Sequence, residues 1–353
     1  MTHAILIIGH GTDISQCLAC IKRYNKHPDF RTFIHWDTRH MLSDEQYRIL
    51  SSTPSVKGIY QEYAPNWGAW SLAQTEYLLF RNALAYADTV EYIDYFHCIS
   101  ADSMMLRTPE NFVARFAKLN GKNLVPWRSG KNNRRDPNAF RGATWKEGDD
   151  HKYYEWDKFT LDHSAMNKIN VATCSRAEYE SVYIQSLKDQ IAAGVCMEQP
   201  PFTWYWCSQW ASLTYEACRV VVESYDELSK YLWHVKMPDE TFIATALMNS
   251  HLASTVINRN IMYFKWNGGL GNSGATENHL LPSDAQQIAI GRWFFARKFG
   301  HDRQADARFW VEYNKQLALK SSLRRKAAIN HIKNKRITKP VPYPNKIHST
   351  PQK

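Results

Sequence analysis

The feature that most constrains the fold is a regular alternation of short apolar runs with longer segments of helical spacing. Residues 4–8 form an apolar run that ends in a glycine-containing loop, and residues 13–24 then place apolar side chains at helical intervals. The alternation continues, with strands predicted at residues 31–36, 56–59 and 95–99 and helices at residues 71–87 and 109–118. Strands that alternate with helices predict an α/β fold with a mostly parallel central sheet flanked by helices.

The carboxyl ends of the predicted strands are the expected place for a ligand. In open sheets of this class, ligands bind in the crevice outside those strand ends. Gly9-His10-Gly11 follows the first predicted strand, Asp37 follows the second, and residues 100–103 follow the fourth. The sequence therefore predicts that these three segments lie together at one edge of the sheet.

A polar stretch at residues 121–170 interrupts the regular pattern and indicates a long excursion from the scaffold. Beyond it, the sequence predicts helices at residues 178–191, 217–232, 240–251 and 283–293, and strands at residues 204–213 and 261–266.

The charge of the chain is concentrated at its end. The net charge is +10, and residues 321–353 carry nine Lys and Arg and no acidic residue. Such a tail binds an anionic membrane surface, binds nucleic acid or is simply solvated. Aromatic residues make up 13% of the chain, with 13 Trp and 19 Tyr. They suit a sugar-binding cleft and equally a large aromatic core.

The cysteines favour a reducing compartment. An odd number, seven, is scattered along the chain, which is typical of reduced thiols in a cytoplasm. Cys17 and Cys20 have the spacing of a metal-binding pair but no second pair nearby, so we expect them to be core residues. The sequence has no window of about 18 apolar residues, so we expect no membrane-spanning helix. Residues 1–8 lack the pattern of a signal peptide.

Five segments, in order, resemble one enzyme family. They are residues 34–37 (IHWD), 66–72 (NWGAWSL), 95–108 (YFHCISADSMMLRT), 208–214 (SQWASLT) with 238–242 (PDETF), and 295–299 (FARKF). Together they are similar to glycosyltransferase family 14, which contains the core-2/I-branching N-acetylglucosaminyltransferases and the peptide xylosyltransferases. That family implies a GT-A fold, a nucleotide-sugar donor, and an inverting reaction that needs neither a metal nor another cofactor.

The resemblance implies roles for three residues in particular. Glu240 matches the base that removes the proton of the acceptor hydroxyl. Lys298 matches the residue that contacts the diphosphate, and Arg297 is a neighbour that assists it. The chain contains no Asp-x-Asp triplet of the kind that holds a metal in many GT-A enzymes, so no metal ligand is predicted.

Further site residues are predicted with a structural alternative open for each. Asp37 matches a uridine contact or is a helix cap, and His10 and Gly11 lie where a nucleotide would be touched. The sugar or acceptor cleft is assigned four residues, which are as readily core or loop residues: Trp67, Asp102, Trp210 and Trp266.

The sequence also departs from the family pattern. Cys207 stands where the family has Gly, and Ala101-Asp102-Ser103 stands where it has Gly-Gln-Asp, which puts any role of that aspartate in doubt. A second basic residue for the diphosphate is missing at residues 275–280, and Arg297, Lys265 or His279 are the candidates to replace it. Residues 121–200 match nothing closely, so the acceptor is not identified.

The resulting prediction is a GT-A domain at residues 1–305, with residues 121–200 as an acceptor-side insertion, and a basic helical or disordered extension at residues 306–353. The expected reaction transfers a sugar from UDP-N-acetylglucosamine, or from UDP-xylose or UDP-glucose, to an oligosaccharide or lipid-linked glycan. We expect a cytoplasmic, bacterial-type enzyme of lipopolysaccharide or capsule synthesis, peripheral on the inner membrane through its tail, with no nucleic-acid partner. The alternative is an inactive nucleotide-sugar-binding protein.

Overall fold

The largest sheet in the described part of the chain has seven strands. The structure, a computed structural model, describes residues 1–129, 175–196, 200–266 and 277–337. The strands of the large sheet, in chain order, are β1 (His3–Gly9), β2 (Phe30–Trp36), β3 (Val56–Tyr60), β4 (Tyr95–Ser100), β6 (Asn123–Leu124), β9 (Ser212–Thr214) and β10 (Val256–Ile257). Their spatial order is β10-β6-β9-β4-β1-β2-β3.

The sheet is mostly parallel, as the alternation predicts. β1 pairs in parallel with both β2 and β4, β2 with β3, and β10 with β6, whereas β9 runs antiparallel between β4 and β6. Every residue of β1 and β4 is buried, because helices and loops cover both faces of a sheet of this kind. The predicted α/β class is confirmed.

The helices, in chain order, are α1 (Ser15–Lys22), α2 (Asp44–Ser51), α3 (Trp70–Thr89), α4 (Pro109–Ala117), α5 (Arg176–Ala192), α6 (Tyr215–Glu223), α7 (Tyr225–Leu232), α8 (Phe242–Met248), α9 (Ala285–Ile290) and α10 (Arg303–Ile337). Local sequence explains several of their starts. Ser43 and Gln46 form a capping box before α2, and the Thr108 hydroxyl caps α4 with Pro109 at its first position. α3 packs against β1 and β2 through a fully buried stripe that includes Ala73 and Leu79.

The described residues also form three smaller sheets. β5 (Met104–Met105), β14 (Phe295–Ala296) and β11 (Met262–Tyr263) form one of them, in the order β11-β14-β5. β7 (Trp127–Ser129) pairs with β8 (Tyr205–Cys207), and β12 (Lys265–Trp266) pairs with β13 (Glu277–Asn278). These hairpin-like pairs carry several residues of the candidate site.

Several predicted elements of the second half are divided in the structure. The strand predicted at residues 204–213 is two strands, β8 and β9, in different sheets, and the strand predicted at 261–266 is likewise β11 and β12. The helix predicted at 217–232 is α6 and α7, which meet at Ser224, whose hydroxyl donates to the Val220 carbonyl (2.7 Å). The helix predicted at 283–293 is shorter, because a 3₁₀ turn at Pro282–Asp284 precedes α9.

The chain forms two compact units. The first contains Met1–Leu280 and Trp293–Asp302, and the second contains Leu281–Arg292 and the helix α10. The boundary predicted at residue 305 therefore lies inside α10. The predicted insertion at 121–200 lies largely outside the described residues. In the described part of the chain, no helix has the length and apolar character needed to cross a membrane.

Candidate active site

Three strand ends converge at one edge of the large sheet. Gly9 at the end of β1 lies beside Trp36 at the end of β2, and Ile8 lies beside Ser100 at the end of β4. Hydrogen bonds continue this arrangement past the strands, since Asp37 N donates to the Gly9 carbonyl (3.0 Å) and Ala101 N to the Ile8 carbonyl (2.9 Å). The predicted convergence of these segments is confirmed.

The loop after β1 is packed tightly beneath an indole ring. A Cβ on Gly9 would lie 2.2 Å from Cε3 of Trp36, so no larger residue fits there. The Trp36 indole N–H donates to the Gly11 carbonyl (2.9 Å), and Gly11 has a φ of +81° that favours glycine. His10 is exposed between them. The loop is thus fixed by Trp36 while His10 faces solvent.

Asp37 is a buried carboxylate whose hydrogen-bond donor, Arg39, lies two residues later in the chain. It caps the 3₁₀ turn Thr38–His40 and accepts from the backbone N (2.9 Å) and the Nε (3.0 Å) of Arg39. Burial acts to raise the pKa of Asp37, but these hydrogen bonds and the Arg39 charge outweigh it and lower the pKa. Arg39 also donates to Asn66 Oδ1 (2.8 Å) and to the Pro65 carbonyl (2.6 Å). Asp37 therefore anchors the loop that carries Trp67.

Glu240 lies on a 3₁₀ turn rather than in a helix. The turn is Pro238–Glu240, and α8 begins at Phe242, two residues later than the sequence predicts. Met237, which precedes the turn, has a left-handed backbone (φ 55°) and donates its N–H to the Gly68 carbonyl (2.7 Å). A left-handed non-glycine residue costs free energy and persists only where surrounding contacts hold it. The contact with Gly68 connects this turn to the Trp67 loop.

The carboxylate of Glu240 is oriented by an indole. Trp206 Nε1 donates to Glu240 Oε2 (2.9 Å). Trp206 lies on β8, and the neighbouring residue Tyr205 exchanges hydrogen bonds with the Thr245 hydroxyl of α8 (3.0 and 3.3 Å). On its other side, β8 pairs with β7, from which the Arg128 guanidinium reaches over the Trp206 ring (5.3 Å). The base candidate is thus held by a strand that is itself fixed on two sides.

Arg297 is clamped between two carboxylates. It contacts Asp102 through two hydrogen bonds (3.2 Å each) and Glu277 Oε2 at 2.9 Å. Its guanidinium carbon also lies 4.7 Å from the centre of the Trp210 ring. The Arg297, Asp102 and Glu277 side chains are all largely buried, at 12%, 19% and 10% exposed. The charge of Arg297 is therefore compensated inside the protein.

The pKa of Glu277 responds to several charged groups around it. Burial raises the pKa of Glu277, the charges of Arg297 and Lys298 oppose the rise, and the charges of Asp102 and Glu240 add to it. For Asp102, burial also acts upward, but Arg297, a hydrogen bond from Ser100 and the Lys298 charge lower its pKa overall. Lys298 follows Arg297 directly, and its carbonyl accepts from Leu280 N (3.0 Å). Glu240 and Lys298 thus both act electrostatically on Glu277, with opposite signs.

The aromatic residues predicted for the cleft differ in exposure. Trp210 is 5% exposed and lies under Arg297, so it packs the cluster from inside. Trp67 is 64% exposed, and the buried Lys236 ammonium lies over its ring (5.4 Å). The backbone of Trp266 pairs with Glu277, but its side chain lies outside the described residues.

Four residues of this region were not predicted from the sequence. Trp206 stands in an aromatic stretch whose Trp and Tyr residues look alike in sequence. Glu277 lies in the segment where a second basic residue is expected, and Arg39, two positions after Asp37, belongs to no motif. Glu76 of α3 is fully buried, and its pKa is raised well above the usual range by burial first and then by the charge of Asp239. Only the tertiary contacts identify these four.

Comparison with known proteins extends the motif resemblance. Residues 149–289 match the model of the Core-2/I-Branching enzyme family. The chain is similar to this family. It is 25% identical over 310 residues to a xylosyltransferase of Ciona intestinalis, covering 83% of this chain and 32% of that protein. It is 26% identical over 314 residues to xylosyltransferase 2 of Homo sapiens, covering 84% of this chain and 31% of that protein.

The chain spans about a third of the length of these relatives. The matched family range includes Glu240 but not Asp37 or Lys298. The longer alignments with the two relatives support the resemblance seen in the five sequence segments.

Two solved structures are similar at a low level. S. aureus TarS 1-349 in complex with UDP has a TM-score of 0.35 at 11% identity and covers 82% of this chain and 63% of that chain. Core-mannan synthase A from Aspergillus fumigatus, in its Mn/GDP form, has a TM-score of 0.32 at 11% identity, covering 72% of each chain. Likenesses at this level carry no argument about the site.

Proposed function

We propose that this chain is an inverting, metal-independent glycosyltransferase that moves a sugar from a UDP-sugar to a hydroxyl of a glycan acceptor. The observation that carries the proposal is that the Glu240 carboxylate is oriented by the Trp206 indole (2.9 Å). The charges of Glu240 and of Lys298 also both act on the same buried carboxyl, Glu277. A base and a cation are the two groups that this reaction requires.

In the proposed reaction, Glu240 accepts the proton of the acceptor hydroxyl as that oxygen attacks the anomeric carbon. The bond between the anomeric carbon and the diphosphate oxygen breaks, and UDP leaves with the electron pair. Lys298 stabilises the negative charge that develops on the diphosphate. Arg297 acts mainly by fixing the backbone next to Lys298, because Asp102 and Glu277 already compensate its charge.

UDP-N-acetylglucosamine remains the proposed donor, with UDP-xylose and UDP-glucose as alternatives. The names of the two xylosyltransferase relatives give UDP-xylose specific support. We assign Asp37 with Arg39, together with His10 and Gly11, to the nucleotide side, since they surround the end of β1 and β2. Trp67 and Trp266 are assigned to the sugar and acceptor side.

The proposed acceptor is an oligosaccharide or a lipid-linked glycan of a bacterial surface polysaccharide, assembled at the cytoplasmic face of the inner membrane. No disulfide joins the six cysteines in the described part of the chain, which supports a reducing compartment. Cys17 and Cys20 are buried in α1, as expected of core residues.

The test is release of UDP from a panel of UDP-sugars in EDTA, with and without oligosaccharide acceptors. Release from one sugar identifies the donor and supports metal independence, whereas release that requires added Mn²⁺ contradicts it. Glu240→Gln should reduce release by about 100-fold or more while UDP affinity stays unchanged. If the native chain binds UDP but releases none with any donor and acceptor, the nucleotide-sugar-binding alternative is favoured.

A further inference from the structure

The second unit exposes apolar side chains next to a purely basic helix segment. Leu319 and Leu323 of α10 are 50% and 66% exposed, and Ile290 at the end of α9 is 60% exposed. Leu319 and Leu323 are four residues apart and therefore neighbours on one helix face. Isolated exposed apolar residues are ordinary, but a cluster beside cations indicates an interaction surface.

Lys320 of α10 connects this helix to the end of α9. Its ammonium donates to the carbonyl oxygens of Ala289 (3.2 Å) and Ile290 (2.9 Å), the last two residues of α9. A cation at the C-terminal end of a helix stabilises that end. Because Lys320 lies beside Leu319 and one turn before Leu323, this contact brings Ile290 to the same surface as the two leucines.

The charge on this surface has a single sign. Lys326 is exposed three residues after Leu323 and is its neighbour on the same helix face, whereas Arg325 is exposed on the opposite face. From Lys320 to the end of α10 at Ile337, the sequence has seven Lys and Arg and no Asp or Glu. The region defined by Ile290, Leu319, Lys320, Leu323 and Lys326 is named here the apolar-basic surface.

We infer that the apolar-basic surface docks the protein on an anionic lipid bilayer. Apolar side chains that insert at the headgroup boundary, with cations that meet anionic lipids, are the two signals of reversible membrane binding. A second copy of the chain would bring the same positive charge and would be repelled. A nucleic acid would use the cations but not the exposed leucines. The inference does not depend on the sugar donor or on the activity of Glu240.

The experiment is co-sedimentation of the full chain with phosphatidylcholine vesicles that contain or lack phosphatidylglycerol. We expect binding only to the anionic vesicles. Leu319→Ser/Leu323→Ser should weaken it by about tenfold or more and Lys326→Gln by about fivefold, as expected for two apolar groups and one basic group at a bilayer. Val311→Ser and Arg325→Gln are the matched apolar and basic controls, because both residues are exposed on α10 outside the apolar-basic surface, and each should change binding less than about twofold.

Equal binding to neutral and anionic vesicles, or no binding to either, would overturn the inference. Unchanged binding by both Leu319→Ser/Leu323→Ser and Lys326→Gln would overturn it too, as would duplex DNA binding in the absence of vesicle binding. UDP release in solution, measured on the same variants, should equal that of the native chain. Failure of vesicle binding with intact UDP release rejects only the docking surface, whereas absent release with intact binding rejects only the proposed activity.

Discussion

The indole N–H of Trp206 donates to Oε2 of Glu240 at 2.9 Å, across 34 positions of the sequence. A hydrogen bond to an ionised group contributes about 1.5–3 kcal/mol, enough to fix one carboxylate orientation. The contact therefore gives the candidate base a defined direction that neither residue has alone.

Trp206→Phe should lower turnover by about tenfold or more while the KM for the donor changes little. The phenyl ring keeps most of the packing, but the carboxylate loses its donor. Steady-state kinetics on the purified variant measures this. Trp127→Phe on the paired strand is the control, because the Trp127 indole N–H is buried and has no hydrogen-bond partner within the described residues. Similar kinetics for the two variants would contradict an orienting role for Trp206.

We expect Lys298 to contribute to UDP binding and Arg297 to contribute to the stability of the fold. Lys298→Ala should weaken UDP binding by about tenfold or more with little change in the free energy of unfolding. Arg297→Met leaves Asp102 and Glu277 buried beside each other without a cation, so it should cost about 3–5 kcal/mol of stability. Calorimetric titration with UDP and urea denaturation of both variants measure the two effects. The reverse pattern, with Arg297→Met fully stable, would contradict the clamp.

Glu76 should make the protein less stable as the pH rises. Its pKa is raised well above 4.5 by burial, with the charge of Asp239 adding to the shift, so the folded state holds a proton that the unfolded state releases. Above about pH 4.5 the stability therefore falls with pH. Glu76→Gln should be more stable than the native chain at pH 8, and the difference should vanish below pH 4.5. Thermal unfolding across this range measures it, and the exposed Glu223→Gln should show no such trend.

His3 should cause a loss of stability in acid. Burial lowers its pKa from 6.5 to about 3, and its Nδ1 lies 3.0 Å from His97 Nε2 inside an aromatic cluster. Below pH 6.5 the unfolded chain binds a proton at His3, but the folded chain does not bind it until about pH 3. The stability therefore falls from pH 6.5 toward pH 3, by at most about 1.4 kcal/mol per pH unit. His3→Phe should reduce that slope by up to about 1.4 kcal/mol per pH unit, the contribution of one proton. Urea denaturation measures it, and an equal reduction with the exposed His40→Gln would contradict the assignment.

The first half of the fold was predicted well because its signals are local. Residues 4–8 and 31–36 are nearly continuous apolar runs, and a parallel sheet buries such strands on both faces. The second half was predicted less well. β8, β9, β11 and β12 are two or three residues long, and their separation into different sheets depends on partners distant in the sequence.

The site divides in the same way. The sequence alone identified Glu240, Lys298 and Asp37 as candidates, because short motifs and strand ends mark them. Whether they carry the predicted roles stays a prediction. The sequence also determined the concentration of positive charge after Lys320, since charge is a property of composition.

Only the tertiary structure decided what surrounds those residues. In sequence, Arg297 is only the neighbour of Lys298. In the structure, Arg297 binds two carboxylates, Asp102 and Glu277, in a buried space. The tertiary structure likewise gave Glu240 its partner Trp206 and brought the Ile290 carbonyl to Lys320. Such contacts depend on distances between side chains that are set by packing, and packing is decided by the whole fold rather than by any one segment.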